Sequence, residues 1–375
     1  MKEKNRIEEL GMRLKFLSGR IARVVTIALV IIAIDGCKHT GEQVIPKEKP
    51  AADENDETFS IAIIPDTQYY TSLKHNGTMS MFEQQIQWIR DNKTKEKIAY
   101  VIHLGDLVDT GSDQAQWIRG KTEMYKLETD HIPYGIAVGN HDQSPNGDPT
   151  FPSTELGYNL YFGRTHMSAF PWFGGAEGSS NNADNHYDLF TANGVDYLVL
   201  YVEFNSPGAA EYNPALEATT MNWVNGVLTT YANRKIIVVS HSILNVPSES
   251  NSPTIPGQGN NNIEGQFTVQ GKIIYANMKL HKNVFLMLSG HISGEGFRKD
   301  EFDGGVIKTY LADYQSRENA PYNGTKRNGG NGLMRLMRFN KTKQTLSVRT
   351  FAPQKDGTLI EERDSDSEFT KPLYN

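Results

Sequence analysis

Short motifs of aspartate, asparagine, histidine and glutamine recur along the chain, each directly after an apolar run. Carboxylate oxygens, amide oxygens and imidazole nitrogens are ligands that divalent metals of intermediate hardness bind together. The motifs therefore predict a metal centre that is assembled from several loops. In chain order they read Pro65-Asp66-Thr67-Gln68, Gly105-Asp106-Leu107-Val108-Asp109, Gly139-Asn140-His141-Asp142, Ser240-His241-Ser242 and Gly290-His291-Ile292-Ser293.

Strand-like runs precede these motifs. The runs at 61–64, 100–104, 236–239 and 284–288 lead into four of them, and the shorter run at 135–138 leads into the motif that contains Asn140. Short apolar runs bounded by turn residues are typical of buried strands. We therefore expect the motif loops to gather where these strands end.

The rest of the chain alternates strands with helices and then becomes rich in strands. Residues 79–91 place apolar side chains three and four positions apart, which predicts an amphipathic helix. Segments 142–185 and 245–265 are rich in Pro, Gly and Asn, and loops of that length are usually functional. The succession favours an α/β fold with a mixed or two-layer sheet. The other expected helices are 113–128, 215–231 and 266–278, and the expected strands are 59–65, 98–104, 134–138, 186–190, 195–204, 235–240, 283–289, 306–312, 333–339 and 345–351.

Composition and charge exclude several classes of function. Hydrophobic residues make up 38% of the chain and charged residues 22%, which fits a globular body with an apolar core. The formal net charge is −6, and −9 without residues 1–37, so there is no overall basic surface for nucleic acid. The sequence contains no Gly-x-Ser-x-Gly elbow and no complete Gly-x-x-x-x-Gly-Lys-Ser/Thr phosphate loop.

The order of the five motifs resembles that of the calcineurin-like metallophosphoesterase superfamily. The resemblance implies an α/β fold with four layers, α-β-β-α, in which a central β-sandwich of mixed sheets is flanked by helices. It implies a domain over residues 58–353 followed by a C-terminal tail at 354–375. It also implies a phosphomonoester or phosphodiester substrate, one or two divalent ions of manganese, iron or zinc, and attack by a metal-bound hydroxide.

The resemblance assigns ligands to two neighbouring metal positions, with Asp106 bridging both. The first position has a full set of ligands. The second contains Gln68 where the family commonly has histidine, and Ser293 where it commonly has another histidine. A serine hydroxyl is a poorer ligand than imidazole, so the alternative is a single-metal or non-catalytic surface binding protein on a degenerate phosphoesterase scaffold. The implied ligands are Asp106, Asn140, His241 and His291 for the first ion and Asp66, Gln68 and Asp106 for the second.

The same resemblance assigns proton transfer to His141. In the family this histidine faces the phosphate rather than the metal, and it stabilises charge or protonates the leaving oxygen. Asp109 is expected to hold the other ring nitrogen and so to fix the tautomer. The segment Asp313-Tyr314-Gln315 resembles a feature of the branch that has glutamine in the first motif, and it is expected to approach the site.

The N-terminus predicts export to a bacterial cell envelope. Seven basic residues in 2–23 precede a weakly polar to apolar stretch at 24–34. Its eleven residues are too few to span a bilayer, which takes about 20, and suit a signal peptide. The only cysteine, Cys37, follows in Ile34-Asp35-Gly36-Cys37, which resembles a lipoprotein lipobox except at Asp35. We expect a lipid on Cys37 and a disordered tether over 38–57, with an uncleaved membrane anchor as the alternative.

Overall fold

The computed structural model describes residues 57–178, 180–247, 264–315 and 329–374. The predicted signal peptide with Cys37, nearly all of the predicted tether and most of the predicted loop at 245–265 lie outside the described residues. No helix within the described ranges is long and apolar enough to cross a membrane.

Fourteen strands and eight helices make up the described part of the chain. The strands are β1 (Thr58–Ile64), β2 (Ile98–His103), β3 (Tyr134–Ile136), β4 (Phe173–Ala176), β5 (His186–Ala192), β6 (Val195–Val202), β7 (Lys235–Ser240), β8 (Val284–Ser289), β9 (Gly294–Phe302), β10 (Gly305–Asp313), β11 (Met334–Asn340), β12 (Thr345–Pro353), β13 (Leu359–Glu362) and β14 (Phe369–Pro372). The helices are α1 (Gln68–Ser72), α2 (Met79–Asn92), α3 (Gln114–Thr129), α4 (Phe151–Thr154), α5 (Tyr158–Phe162), α6 (Arg164–Met167), α7 (Pro214–Thr230) and α8 (Val269–Met278).

The strands form two mixed sheets of seven strands each. The first sheet has the order β13-β12-β11-β1-β2-β3, with β14 paired to β12, and the second has the order β4-β5-β6-β7-β8-β10-β9. Strands β1, β2 and β3 run parallel to one another, and so do β6, β7, β8 and β10. Parallel neighbours end at the same edge of a sheet, so each sheet brings several strand ends together.

Aromatic side chains fill the space between the two sheets. Phe59 of the first sheet lies 5.2 Å from Tyr197 of the second, measured between ring centroids, and Tyr100 lies 5.2 Å from Phe190. Offset and tilted ring pairs at this distance stabilise a core beyond the area that they bury. The sheets therefore pack face to face as a sandwich.

Helices cover the outer faces of the sandwich. Helix α2 buries Phe82, Ile86 and Ile89 at spacings of three and four residues, on the side that faces β12. Helices α7 and α8 bury apolar residues such as Val224 and Ile274 against the outward-facing side chains of the second sheet. The predicted α-β-β-α architecture is confirmed.

The structure differs most from the prediction in three segments. Residues 142–185 contain three helices of four or five residues and the edge strand β4, which are too short for an apolar period to show. Strand β9 was not predicted, because its sequence is largely charged and it pairs only with β10 at the edge of the second sheet. Strands β13 and β14 pair with β12, so the first sheet extends beyond residue 353, where a tail was expected.

Asp184 connects the short helices of this region. Its carboxylate accepts hydrogen bonds from Thr154 Oγ1 at 2.9 Å and from Asn159 Nδ2 at 2.7 Å, and the side chain is fully buried. Burial raises the pKa of Asp184 from an ordinary value of 3.8 to about 7. The folded state therefore binds a proton near neutral pH that the unfolded state has released.

We expect the contribution of Asp184 to the free energy of unfolding to fall as the pH rises from 5 to 8. A raised folded-state pKa gives a stabilisation that is complete below the unfolded pKa and is lost as the pH passes the folded value. Urea unfolding at both pH values tests this, with Asp184→Asn as the comparison. The loss between the two pH values should be smaller in the variant, on the order of 2 kcal/mol. An equal loss in both proteins would contradict a role for Asp184.

Candidate metal centre

The five sequence motifs meet at one end of the sandwich. Backbone hydrogen bonds join neighbouring motif loops within each sheet: Thr67 N–H donates to the carbonyl of Asp106 at 3.2 Å, and Gly290 N–H donates to the carbonyl of His241 at 3.1 Å. Bonds from backbone to side chain join them further. His141 N–H donates to Asp106 Oδ1 at 2.9 Å, and His291 N–H donates to Asp66 Oδ2 at 3.2 Å. Residues from all five motifs thus contribute to one site.

Asp106, His241 and His291 form the centre of this site. Each offers one ligand atom, and the three atoms lie within 4.8 Å of one another. His241 Nε2 lies 3.1 Å from Asp106 Oδ2 and 3.9 Å from Asp66 Oδ2, and the rings of His241 and His291 have centroids 4.9 Å apart. Imidazole and carboxylate groups at these separations can share one small cation.

Four buried atoms of the expected ligands have no hydrogen-bond partner among the residues that the structure describes. A buried polar atom without a partner costs free energy, and native proteins contain few of them. One or two divalent cations would satisfy these atoms, so the residues present fit the metal centre that the sequence predicts. The four atoms are Asp66 Oδ1, Gln68 Oε1, Asn140 Oδ1 and His241 Nε2.

Hydrogen bonds behind the ligands orient two of them. His241 Nδ1 lies 2.9 Å from the carbonyl oxygen of Leu104, which leaves Nε2 as the nitrogen that faces the carboxylates. Asn140 Nδ2 donates to Asn146 Oδ1 at 3.1 Å, which leaves the amide oxygen of Asn140 as the free ligand atom. Such outer partners fix the tautomer and the orientation of metal ligands.

The carboxylates give the site a negative potential. Burial lowers the pKa of His241, but the charges of Asp106 and Asp66 outweigh burial and raise this pKa to about 10. Burial and the nearby charge of Asp313 raise the pKa of Asp66 well above its ordinary value. Burial also acts to raise the pKa of Asp106, yet the charge of His241 holds it below the ordinary value. A bound cation would balance this negative charge.

The backbone is constrained where it carries the ligands. Asp106 has φ of 49° and His291 has φ of 68°, in the left-handed region that non-glycine residues seldom adopt. Gly139 approaches Asp106 so closely that a Cβ atom would lie 2.2 Å from Asp106 Oδ1 and 2.6 Å from its backbone nitrogen. Strained backbone of this kind is often found at functional sites. Gly139 is therefore required for the observed position of the Asp106 carboxylate.

We expect Gly139→Ala to weaken metal binding while leaving most of the fold intact. The added methyl group must displace the Asp106 carboxylate, which the sequence predicts to bind both metal ions. Binding of Mn²⁺ measured by calorimetry should weaken by roughly 10–100-fold or more. Gly226→Ala is the matched control, because a Cβ atom there meets nothing within 4 Å. Equal affinities in the two variants would contradict this interpretation.

His141 lies beside the metal ligands and lines a cavity of about 350 Å³ together with Lys74, Asp109 and Asn146. His141 Nδ1 lies 2.8 Å from the backbone carbonyl oxygen of Asp109 and 3.8 Å from its carboxylate. The Asp109 carboxylate is instead hydrogen-bonded to Lys74 Nζ. Asp109 therefore orients His141 through its backbone carbonyl rather than through the expected side chain, because Lys74 attracts the carboxylate.

Three further residues support the site, and the motifs alone assign them no role. Asp142 accepts hydrogen bonds from the backbone N–H groups of Val108 at 3.1 Å and Gly139 at 2.9 Å, and so connects two motif loops. Asp313 accepts a hydrogen bond from Ser293 Oγ at 3.2 Å, and Gln315 contacts Gln68. For Asp313 and Gln315, the sequence offers one signal, which is the resemblance of segment 313–315 to a feature of the glutamine-containing branch.

The chain belongs to the calcineurin-like phosphoesterase family. The family model matches residues 59–293, which span all five motifs. The family and the ligand set together define a metallophosphoesterase scaffold whose centre suits divalent ions.

A relative and two solved structures are similar to this chain. YvnB of Bacillus subtilis (strain 168) is 30% identical over 338 residues, which cover 88% of this chain and 22% of YvnB. The chain thus spans about a fifth of the length of that curated relative. A dimetal phosphatase from Danio rerio is 13% identical with a TM-score of 0.47, covering 85% of this chain and 100% of that one. GAP50, the anchor in the inner membrane complex of Plasmodium, is 12% identical with a TM-score of 0.48. The similarity covers 84% of this chain and 88% of GAP50.

Proposed function

We propose that this protein hydrolyses a phosphomonoester or phosphodiester with the help of one or two divalent metal ions. The observation that carries the proposal is the convergence of four unpartnered, buried ligand atoms next to His141. One ion would be held by Asn140, His241 and His291, and the other by Asp66 and Gln68. The Asp106 carboxylate would bind both ions.

Each part of the site has a distinct task in such a reaction. A bound divalent ion supplies Lewis-acid stabilisation of phosphate charge and lowers the pKa of coordinated water. His141 serves the substrate through Nε2, since Nδ1 lies against the carbonyl oxygen of Asp109. In the imidazolium form, with Nδ1–H donated to that carbonyl, His141 can give the Nε2 proton to the leaving oxygen and become the neutral Nδ1–H tautomer. Lys74, paired with the Asp109 carboxylate, lines the same cavity.

Turnover of chromogenic substrates by the purified full-length chain tests this proposal. We expect hydrolysis of an aryl phosphomonoester, an aryl phosphodiester or both, dependent on added Mn²⁺, Zn²⁺ or Fe²⁺ and removed by a chelator. Absence of turnover with every metal, together with absence of metal binding, would overturn the proposal.

A non-catalytic binding protein on the same scaffold is the second candidate, and Ser293 favours it. Ser293→His distinguishes the two. A gain in metal content and turnover would indicate a site that has lost a ligand. An unchanged or lower metal content would indicate a site that works with serine.

The proposed location is the bacterial cell envelope, with a lipid on Cys37 as the membrane anchor. The basic segment, the short apolar stretch and the position of the only cysteine support this location. Fractionation of bacterial cells that express the full chain tests it. Cys37→Ser should move the protein out of the membrane fraction, and retention of the variant in membranes would favour an uncleaved anchor instead.

A further inference from the structure

Asp313 is a buried carboxylate that reaches the candidate site from outside the family motifs. It is the last residue of β10, which pairs with β8, and β8 leads directly into the loop that carries His291. Its side chain is 1% exposed. Ser293 Oγ donates a hydrogen bond to Asp313 Oδ2 at 3.2 Å. The serine that stands where a histidine was expected is therefore a direct partner of this carboxylate.

Gln315 connects Asp313 to Gln68. The backbone N–H of Gln315 donates to Asp313 Oδ1 at 2.8 Å, and its Nε2 donates to Asp313 Oδ2 at 3.0 Å. Its Oε1 accepts a hydrogen bond from Gln68 Nε2. Because the amide nitrogen of Gln68 is held in this way, its buried amide oxygen is the other end of the amide, and it has no hydrogen-bond partner within the described ranges. The hydrogen bonds from Gln68 to Gln315 and from Gln315 to Asp313 thus determine which atom of Gln68 faces the ligands.

Asp313 adds a third buried negative charge beside Asp66 and Asp106. After burial itself, the charge of Asp313 is the largest contribution to the raised pKa of Asp66. In the ranges that the structure describes, neither Asp66 nor Asp313 forms an ion pair with a lysine or an arginine. Like charges in a low-dielectric interior repel strongly unless a cation lies near them. The arrangement is thus suited to a divalent ion on the Asp66 and Gln68 side of the centre.

We propose that Asp313 and Gln315 are positioning residues for the second metal ion, and that Ser293 is the partner that accommodates them rather than a lost ligand. Gln315 holds Gln68 with its oxygen towards the ion, and Asp313 fixes Gln315 and supplies the charge that the ion balances. This inference rests on the proposed metal-dependent function. It makes the second position a site built from carboxylates and an amide, without imidazole.

The test is a titration of the metal-free full chain with Mn²⁺, in which binding is measured by calorimetry and by electron paramagnetic resonance. We expect two ions in the native chain. In Asp313→Asn, which keeps the shape of the side chain and removes its charge, the second ion should bind roughly 10–100-fold more weakly, while the first is unchanged. Gln315→Leu should weaken the second ion as well. Asp188→Asn is the matched control, because Asp188 is a buried carboxylate that bonds to Tyr100 in the core of the sandwich.

Thermal unfolding separates a metal-positioning role from a purely structural one. Without metal, Asp313→Asn should melt at or above the temperature of the native chain, because the substitution relieves repulsion among buried carboxylates. With Mn²⁺, it should gain less in melting temperature than the native chain gains. A variant that melts lower without metal but keeps its affinity for the second ion would overturn the inference.

The outcomes also separate this inference from the proposed function. If the native chain binds no Mn²⁺, the proposed function itself fails. If the native chain binds one ion, or if Asp313→Asn binds two with unchanged affinities, only the inference about Asp313 and Gln315 is overturned.

Discussion

We expect His241→Ala to lower kcat/KM for phosphoester hydrolysis by at least roughly 10³-fold, since a metal ion contributes several kcal/mol to stabilising the transition state. His241 is fully buried, and its Nε2 lies 3.1 Å from the Asp106 carboxylate, the proposed ligand of both metal ions. Alanine would remove that ligand and leave the charges of Asp66 and Asp106 without their nearest partner. The variant should therefore lose metal as well as activity, which elemental analysis after dialysis would measure.

His281→Ala is the control for this prediction. His281 is a histidine outside the motifs, and its Nε2 lies 2.8 Å from Asn225 Oδ1. Replacing it should leave both metal content and turnover unchanged. A His241→Ala variant that keeps its full metal content and its kcat/KM would show that the imidazole of His241 is not a ligand.

His141→Ala should lower kcat by roughly 10²–10⁴-fold while the protein keeps its metal, as expected for loss of a general acid. Among the described residues, the His141 ring bonds to the carbonyl oxygen of Asp109, whereas the backbone N–H of His141 bonds to Asp106. Proton transfer matters most when the leaving oxygen is basic. The loss should therefore be larger for an alkyl phosphate than for a nitrophenyl phosphate.

The role of His141 is decided by how much the loss in kcat differs between the alkyl phosphate and the nitrophenyl phosphate. An equal loss for both leaving groups would assign His141 to charge stabilisation rather than proton donation. Loss of metal from the variant would contradict the separation of roles altogether. His166→Ala serves as the control, because His166 pairs with Glu128 and stacks on Tyr125 outside the site.

Much of the site could be predicted from the sequence because its ligands follow strands directly. The apolar runs before Asp66, Asp106, His241 and His291 indicate buried strands, and parallel strands bring their ends together whatever their distance along the chain. His103, at the end of β2, is a buried histidine whose Nε2 lies 3.0 Å from Thr67 Oγ1. The α-β-β-α order of the layers was predicted from the resemblance to calcineurin-like metallophosphoesterases.

The supporting contacts could not be predicted in the same way. The contact between Gln68 and Gln315 joins residues 247 positions apart, and no local pattern marks it. The Asp109 carboxylate turns to Lys74 because a lysine on another loop lies close, which only the folded chain shows. The short helices of 142–185 and the strands β13 and β14 depend on tertiary pairing rather than on their own propensity.

Anomalous diffraction from crystals of the protein grown with Mn²⁺ would test the central claim most directly. We predict two manganese peaks on either side of the Asp106 carboxylate, about 3.5–4 Å apart. One should lie against Asn140, His241 and His291, and the other against Asp66 and Gln68. If crystals saturated with Mn²⁺ show no peak within bonding distance of His241 and His291, the site is not a metal centre and the proposed phosphoesterase activity loses its basis.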